Sequence, residues 1–162
     1  MTNFQTYKKL VSLLKTHGAQ EFGRICQGLL EFALRRKGFS TRGRWTERPD
    51  ILAEKSEDRY AIGSQATKDS MIGLRSRDLD GILEYQKRGY VPCLAILILE
   101  PNVRWTMIRA NGLKPGVHSK HALRAFELRD ITDDVNEAFP GIVEDYFGVV
   151  LGRGAAVLRE RL

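Results

Sequence analysis

Two carboxylates and one tripeptide have the spacing that metal or phosphate chemistry would need. Asp50 opens a predicted strand, and thirteen residues later the next predicted strand presents Gly63-Ser64-Gln65. Glu21 lies on a predicted helix that precedes both strands. Carboxylate oxygens are ligands that Mg²⁺ and Mn²⁺ prefer. Asp50 is therefore a candidate metal ligand, whereas Gly63 offers no ligand and Gln65 offers no charge.

Two other patterns have the spacing of functional motifs. His118 and His121 are spaced like a metal-ligand pair, but no Cys, Asp or third His nearby completes a set, which favours solvated loop histidines. Gly148, Gly152 and Gly154 have a spacing similar to that of a phosphate loop, yet no predicted strand precedes them and no Lys-Ser/Thr follows. Close helix packing or fraying at a helix end explains these glycines.

Length and charge restrict the class of protein. The 162 residues suit one domain with a helical extension, and the formal net charge of +6 favours a polyanionic partner without identifying one. Cys26 and Cys93 fall in apolar segments without metal-ligand spacing, as reduced core thiols do. The longest apolar run, residues 91–99, is too short to cross a bilayer, and the N-terminus lacks a signal-peptide pattern. We therefore expect a cytoplasmic protein without a membrane partner.

The elements that must position the candidate residues follow from hydrophobic periodicity. A first helix presents Phe4, Tyr7, Val11 and Leu14 on one face, and a second helix covers about residues 20–37. Strands are predicted near residues 39–42, 50–53, 60–62, 91–99 and 103–109, with a helix over 76–88 that Ser76 caps. A loop with a short helix covers residues 113–128.

The last predicted element is a terminal helical region. Thr132 or Asp133 caps it, and Pro140 restarts it because proline is tolerated only in a first turn. The overall order of helices and strands predicts an α/β fold, in which a mixed sheet is covered by helices.

Roughly residues 18–109 resemble the PD-(D/E)xK nuclease superfamily and, within it, the archaeal Holliday junction resolvases. The similar segments, in order, are Gly18-Ala19-Gln20, Gly38-Phe39, Pro49-Asp50-Ile51-Leu52-Ala53, Tyr60-Ala61-Ile62, Ala66-Thr67-Lys68, Arg77-Asp78-Leu79, Ile82-Leu83-Glu84-Tyr85, Val91-Pro92-Cys93-Leu94-Ala95 and Trp105. The resemblance implies a restriction-endonuclease-like mixed central sheet flanked by helices. It divides the chain into an N-terminal amphipathic helix (1–17), a resolvase-like core (18–112) and a mostly helical C-terminal extension (113–162).

In this superfamily a helix glutamate, a strand aspartate and a second acid two residues before a lysine form one Mg²⁺ site. The metal polarises a phosphate and helps to generate hydroxide, while the lysine supports the nucleophile. The resemblance places Asp50 at the first acid, Gly63 at the second acid, Gln65 at the lysine and Glu21 near the helix glutamate. It therefore implies an inactive or severely impaired nuclease without a cofactor. An enzyme that still cut DNA would need Mg²⁺ or Mn²⁺ and migrated ligands, for which the candidates are Glu31, Glu54 and Glu100.

Basic residues lie on both sides of the degenerate motif. They are Arg42, Arg44 and Arg48, in the loop with Trp45 that leads to Asp50, and Lys68, Arg75 and Arg77 after the motif. In the resembled fold these segments meet on one rim of the sheet, where they would bind DNA phosphates without reading bases. Composition alone is also typical of a solvated basic face.

Three hypotheses of function follow from the sequence. The first is a homodimeric protein that binds branched or duplex DNA, the second is an active endonuclease with migrated ligands, and the third is a non-catalytic scaffold for a protein partner.

Overall fold

The computed structural model describes residues 1–45 and 47–162, so Thr46 in the predicted loop 43–48 lies outside the described residues. Seven strands follow in chain order: β1 (Ser40–Gly43), β2 (Ile51–Lys55), β3 (Asp58–Thr67), β4 (Met71–Leu74), β5 (Val91–Ile98), β6 (Arg104–Arg109) and β7 (Gly116–Ser119). The helices are α1 (Asn3–His17), α2 (Ala19–Arg36), α3 (Ser76–Leu83), α4 (Lys120–Leu123), α5 (Arg129–Arg153) and α6 (Ala155–Arg161).

Five strands form a mixed central sheet in the order β1-β2-β3-β5-β6. β3 and β5 run parallel, and each of the other neighbouring pairs is antiparallel. α3 lies on the crossover between β3 and β5, as a parallel connection requires. The sheet confirms the predicted α/β class, with the apolar segment 91–98 as a strand that is buried on both faces.

Helices cover both faces of the sheet. α1, α2, α5 and α6 share one apolar core with inward-facing residues such as Ile62 and Met107, whereas α3 contributes Leu79 and Ile82 to a second core on the other face. No helix among the described residues is long and apolar enough to cross a membrane. The two cores fix the sheet between helical layers, so the ends of β2 and β3 are held rigidly relative to α2 and α3.

The buried stripe of α1 is not the predicted one. Thr6, Leu10 and Leu13 are buried, whereas Phe4, which the sequence placed on the apolar face, is 54% exposed. α1 contacts both α2 and α5, and the face between those two helices is centred on Leu10 and Leu13. The predicted helix is confirmed, and Tyr7, Val11 and Leu14 of the predicted face do pack against the core. The fully buried stripe is displaced toward Leu10 and Leu13, which leaves Phe4 outside.

The helix that follows β4 is shorter than predicted. α3 ends at Leu83, and a 3₁₀ turn continues over Glu84–Arg88. Ser76 is the first residue of α3 rather than its cap, because Arg75 occupies the N-cap position.

The region 113–128 contains a strand that the sequence analysis missed. β7 pairs with β4 in a two-stranded antiparallel ribbon that is separate from the central sheet. His118 lies in β7, not in a loop. Each strand has only four residues, which is too short for a periodic pattern to emerge from the sequence.

α5 corrects two predictions for the C-terminal region. It begins at Arg129, before Thr132 and Asp133, and it continues through Pro140 without restarting. Thr132 is buried and its Oγ1 accepts a hydrogen bond from the Met107 amide at 3.0 Å. The Asn136 amide exchanges two hydrogen bonds of 2.8 Å with the Trp105 backbone. These contacts with β6 anchor the two helical turns that precede Pro140, which itself provides no backbone donor.

Candidate nucleic-acid interface

Asp50 lies immediately before β2, in a buried position at the edge of an open cleft. The register pairs Ile51 with Ile62, so Asp50 lies opposite Gly63. Oδ2 of Asp50 accepts hydrogen bonds from the Ser64 amide at 2.7 Å and from Ser64 Oγ at 3.1 Å. The same oxygen forms an ion pair with the Arg48 guanidinium. Asp50 is 5% exposed, and the protein itself supplies all of these partners.

Burial and hydrogen bonding act on the Asp50 carboxyl in opposite directions. Desolvation raises its pKa above the ordinary aspartate value, while the Arg48 charge and the Ser64 donors lower it. The desolvation effect is the larger of the two, so the pKa is raised. The charged form of Asp50 therefore depends on Arg48 for much of its stability.

Gly63 is sealed by an apolar side chain. A Cβ atom at this position would lie 2.6 Å from Cδ1 of Ile82 and 3.6 Å from Cδ2 of Leu94. A glutamate or aspartate here would require the end of the Ile82 side chain to move. Gly63 therefore offers no carboxylate, and a larger side chain at this position would first have to repack Ile82.

Arg48 bridges two carboxylates. Its guanidinium binds Asp50, and its Nε lies 3.3 Å from Oδ1 of Asp78 on α3. Gly81 allows this approach, because a Cβ on that residue would lie 2.7 Å from Cβ of Arg48. A guanidinium thus lies against the carboxylate that the resemblance assigns to a divalent cation.

The donor set does not fit the metal that the resemblance implies. The described residues contain no group of three or more His, Cys, Asp or Glu side chains that could hold a metal ion. Asp50 is neutralised by Arg48, and Gly63 has neither a ligand nor room for one. Hard divalent cations require several oxygen ligands, and this site presents an arginine instead.

The other candidate carboxylates lie outside the cleft. Glu21 Oε2 accepts a hydrogen bond of 3.3 Å from the Ala155 amide at the start of α6, and so it does not join Asp50. Glu31 binds Thr41 and Arg35. Glu54 binds Arg59 and Tyr90. Glu100 binds Lys120. The helix glutamate and the migrated ligands proposed from the sequence are therefore not brought to Asp50.

Two open clefts meet at Ser64 and form one groove. The first, of about 560 Å³, lies between the N-terminal half of α2 and the sheet; we call it the α2 cleft. The second, of about 580 Å³, extends to the β4–β7 ribbon; we call it the ribbon cleft. The two share Arg48, Ser64, Gln65, Arg77 and Asp78. Gln65 Nε2 lies 3.4 Å from the Gly73 carbonyl oxygen of β4, and so it links the motif to the ribbon.

The basic residues divide into two sets. Of the six predicted to bind DNA, Arg48, Arg75 and Arg77 line the groove, whereas Arg42, Arg44 and Lys68 do not. Arg44 instead binds Glu47 and the Tyr85 hydroxyl. The predicted meeting of both basic segments on one rim is therefore right only for these three arginines.

Sequence reasoning missed Arg24, which lines the α2 cleft. Gln20, Arg24, Gln27 and Glu31 recur at helical spacing beside the apolar stripe of α2, and this polar face was the available signal. Among the described residues, Arg24, Arg75 and Arg77 form no ion pair. These three guanidinium groups are exposed along the groove.

Comparison with solved structures identifies the architecture. The Holliday junction resolvase Hjc of the archaeal hyperthermophile Archaeoglobus fulgidus matches with a TM-score of 0.53, and the match covers 64% of this chain and 95% of that one. The fold is resolvase-like. Sequence identity is 17%, so the similarity is one of fold. No protein-family model and no curated protein match the sequence.

Proposed function

We propose that this chain is a DNA-binding protein of nuclease fold that lacks metal-dependent cleavage and binds the backbone of branched or duplex DNA in its groove. The observation that carries the proposal is the Arg48 guanidinium against Asp50, in a groove lined by three arginines that form no ion pair among the described residues. At this position the groove presents arginines that can bind phosphates, in place of the carboxylate ligands that a metal ion would need.

The charge distribution along the groove supports phosphate binding. Asp50 and Asp78 are both engaged by Arg48, and Glu47 by Arg44. Because Arg48 carries one positive charge against the Asp50 and Asp78 carboxylates, one negative charge is left there, and Asp69 adds a second. Arg24, Arg75 and Arg77, which form no ion pair among the described residues, carry three positive charges against these two. Exposed guanidinium groups bind phosphates with charge-assisted hydrogen bonds.

The N-terminus of α2 is a second feature of the α2 cleft that favours the binding of an anion. Ala19 and Gln20 line the α2 cleft, and the Gly18 N-cap provides no side-chain cap for the first amides. Because Glu21 is turned toward α6, the acid of the first turn does not occupy the cleft. Free amides and the helix dipole at this end favour an anion.

The first prediction concerns the groove arginines. We expect Arg24→Ala with Arg77→Ala to weaken binding of a labelled four-way junction about tenfold and to lower the slope of log K against log salt by about 2, because two phosphate contacts are lost. Fluorescence anisotropy across a salt series, with Mg²⁺ or with EDTA, measures both quantities. We expect the wild-type protein to bind at low salt without a divalent cation.

A matched control removes the same charge elsewhere. Arg129 and Arg161 are exposed on α5 and α6, outside the groove lining, so Arg129→Ala with Arg161→Ala should weaken binding far less. Equal losses in both double variants would mean that DNA is not bound in the groove. Absence of junction and duplex binding at low salt would overturn the proposal.

Asp50→Asn is a second prediction, and it separates binding from metal-dependent cutting. Asparagine keeps an oxygen acceptor for the Ser64 donors and removes one negative charge beside Arg48. We expect junction affinity to stay constant or to rise by up to about threefold, because an anionic ligand meets less repulsion. A tenfold loss of affinity, or Mn²⁺-dependent cleavage by the wild-type protein that Asp50→Asn abolishes, would favour a metal-dependent nuclease instead.

The remaining hypotheses from the sequence stay predictions. Homodimerisation is implied by the resemblance and is measured by sedimentation. A scaffold role for a protein partner would produce a stoichiometric complex that forms without DNA.

A further inference from the structure

The β4–β7 ribbon presents an apolar face beside the basic groove. The register pairs Gly73 with Val117 and Met71 with Ser119. Because side chains alternate along a strand, these four residues share one face, while Ile72 and Leu74 point into the apolar core below. Met71 is 52% exposed and Val117 is 67% exposed. Two large apolar side chains thus stand in solvent on one small surface.

The middle of this surface is flat. A Cβ atom on Gly73 would meet no other atom within 4 Å, so open space lies above that residue. Met71 and Val117 are diagonal neighbours on opposite strands, and Gly73 lies opposite Val117 and next to Met71 on the same face. Two apolar side chains beside an open glycine leave room for a planar ring to pack against the strand backbone.

Cations flank the ribbon face on two sides. Met71, Gly73 and Val117 line the ribbon cleft together with Arg75 and Arg77. On the other side Met71 also lines a cleft of about 370 Å³ whose cations are Arg124 and Lys120, of which Lys120 is paired with Glu100. An apolar platform between two basic clefts matches the repeat of a nucleic-acid strand, in which a base lies between two phosphates.

We propose that the ribbon face of Met71, Gly73 and Val117 is a stacking platform for base faces that are exposed at the branch point of branched DNA, with the flanking cations holding the adjacent phosphates. The inference rests on the proposed function and deepens it, since backbone contacts alone do not distinguish a junction from a duplex. Bases in an intact duplex are covered by their neighbours, whereas bases at an open branch point expose the faces that apolar side chains contact.

The test compares Met71→Ala with Val117→Ala against the wild-type protein on two probes. One is a four-way junction with 2-aminopurine at the branch point, and the other is a linear duplex of the same sequence. We expect the wild-type protein to prefer the junction and to change the 2-aminopurine fluorescence. The double variant should lose about tenfold of junction affinity and most of the fluorescence change, and its loss of duplex affinity should be several-fold smaller.

Phe4→Ala is the control, because Phe4 is an apolar residue of similar exposure on α1, outside both clefts. Urea unfolding establishes that all the variants are folded. Equal junction affinity of wild type and double variant, or an equal loss with Phe4→Ala, would overturn the platform while the groove still bound DNA. Failure of the wild-type protein to bind either probe would overturn the proposed function itself.

Discussion

We expect Gly63→Glu to lower the free energy of unfolding by about 1 to 3 kcal/mol, because the added side chain must displace the end of Ile82 in a packed core. Its Cβ alone would lie 2.6 Å from Cδ1 of Ile82. The rest of the side chain would then enter the space filled by Ile82 and Leu94, or push α3 away from the sheet. Urea unfolding followed by circular dichroism measures the loss.

Two variants isolate the cause of that loss. Ile82→Ala opens the space beside Gly63, so Gly63→Glu should cost markedly less in that background than in the wild-type background. Gly73→Glu introduces the same side chain at a strand glycine with open space around it, and it should change stability by no more than about 0.5 kcal/mol. If Gly63→Glu were tolerated as well as Gly73→Glu, the seal over the second acid position would not exist.

The contacts of Arg48 and Ile82 also predict what happens when an acid and a lysine are placed at positions 63 and 65. Gly63→Glu with Gln65→Lys reinstates the residue types of the active superfamily, but Arg48 would still neutralise Asp50 and Ile82 would still fill the acid position. We therefore expect no cleavage of junction DNA from this double variant. The residue types at positions 63 and 65 alone would not make the site, since Arg48 and Ile82 occupy its surroundings.

The sequence was sufficient for the central sheet because its apolar patterns are long. Residues 91–98 form a continuous apolar run that only a strand covered on both faces explains. The spacing of Asp50 and Gly63 was also informative, since the structure places the two residues opposite each other. The pairing of β4 with β7 could not be predicted from the sequence, because it joins two four-residue strands that lie more than forty residues apart in the chain.

The candidate site shows where sequence reasoning fails. Glu21 was a reasonable acid on the right helix, but a rotation of the helix turns it toward α6 while Arg24 faces the cleft. The residue types at positions 63 and 65 could be read from the sequence. The sequence does not show that Ile82 lies over Gly63 or that Arg48 pairs with Asp50, because both contacts form only in the tertiary structure.

Arg48→Ala should have the second large effect, because it removes the ion-pair partner of a buried carboxylate. Asp50 would keep its two hydrogen bonds from Ser64 and lose the charge that offsets its desolvation. Breaking a largely buried pair in this way costs several kcal/mol at full burial. Since the Arg48 side chain is 37% exposed, we expect a loss of about 2 kcal/mol in the free energy of unfolding at pH 8.

The pH dependence of that loss identifies its origin. Desolvation already raises the pKa of Asp50 in the folded protein, and removal of Arg48 raises it further. The folded state then binds the proton more tightly than the unfolded chain, so the variant regains stability as the pH falls toward the ordinary aspartate pKa of about 4. This stabilisation disappears as the pH rises through the raised pKa. Urea unfolding at several pH values should therefore show the effect of Arg48→Ala shrinking at acidic pH.

Asp50→Asn provides the background that tests this explanation. With a neutral side chain at position 50, removal of Arg48 leaves no buried charge unpaired, and its cost should fall below about 1 kcal/mol and lose its pH dependence. The Asp78 contact of Arg48 is the same in both backgrounds and cancels in the comparison. An equal cost of Arg48→Ala with Asp50 and with asparagine would assign the effect to Asp78 or to packing against Gly81. A cost that disappears with Asp50→Asn would mean that Arg48 acts on the carboxylate as its permanent counter-ion.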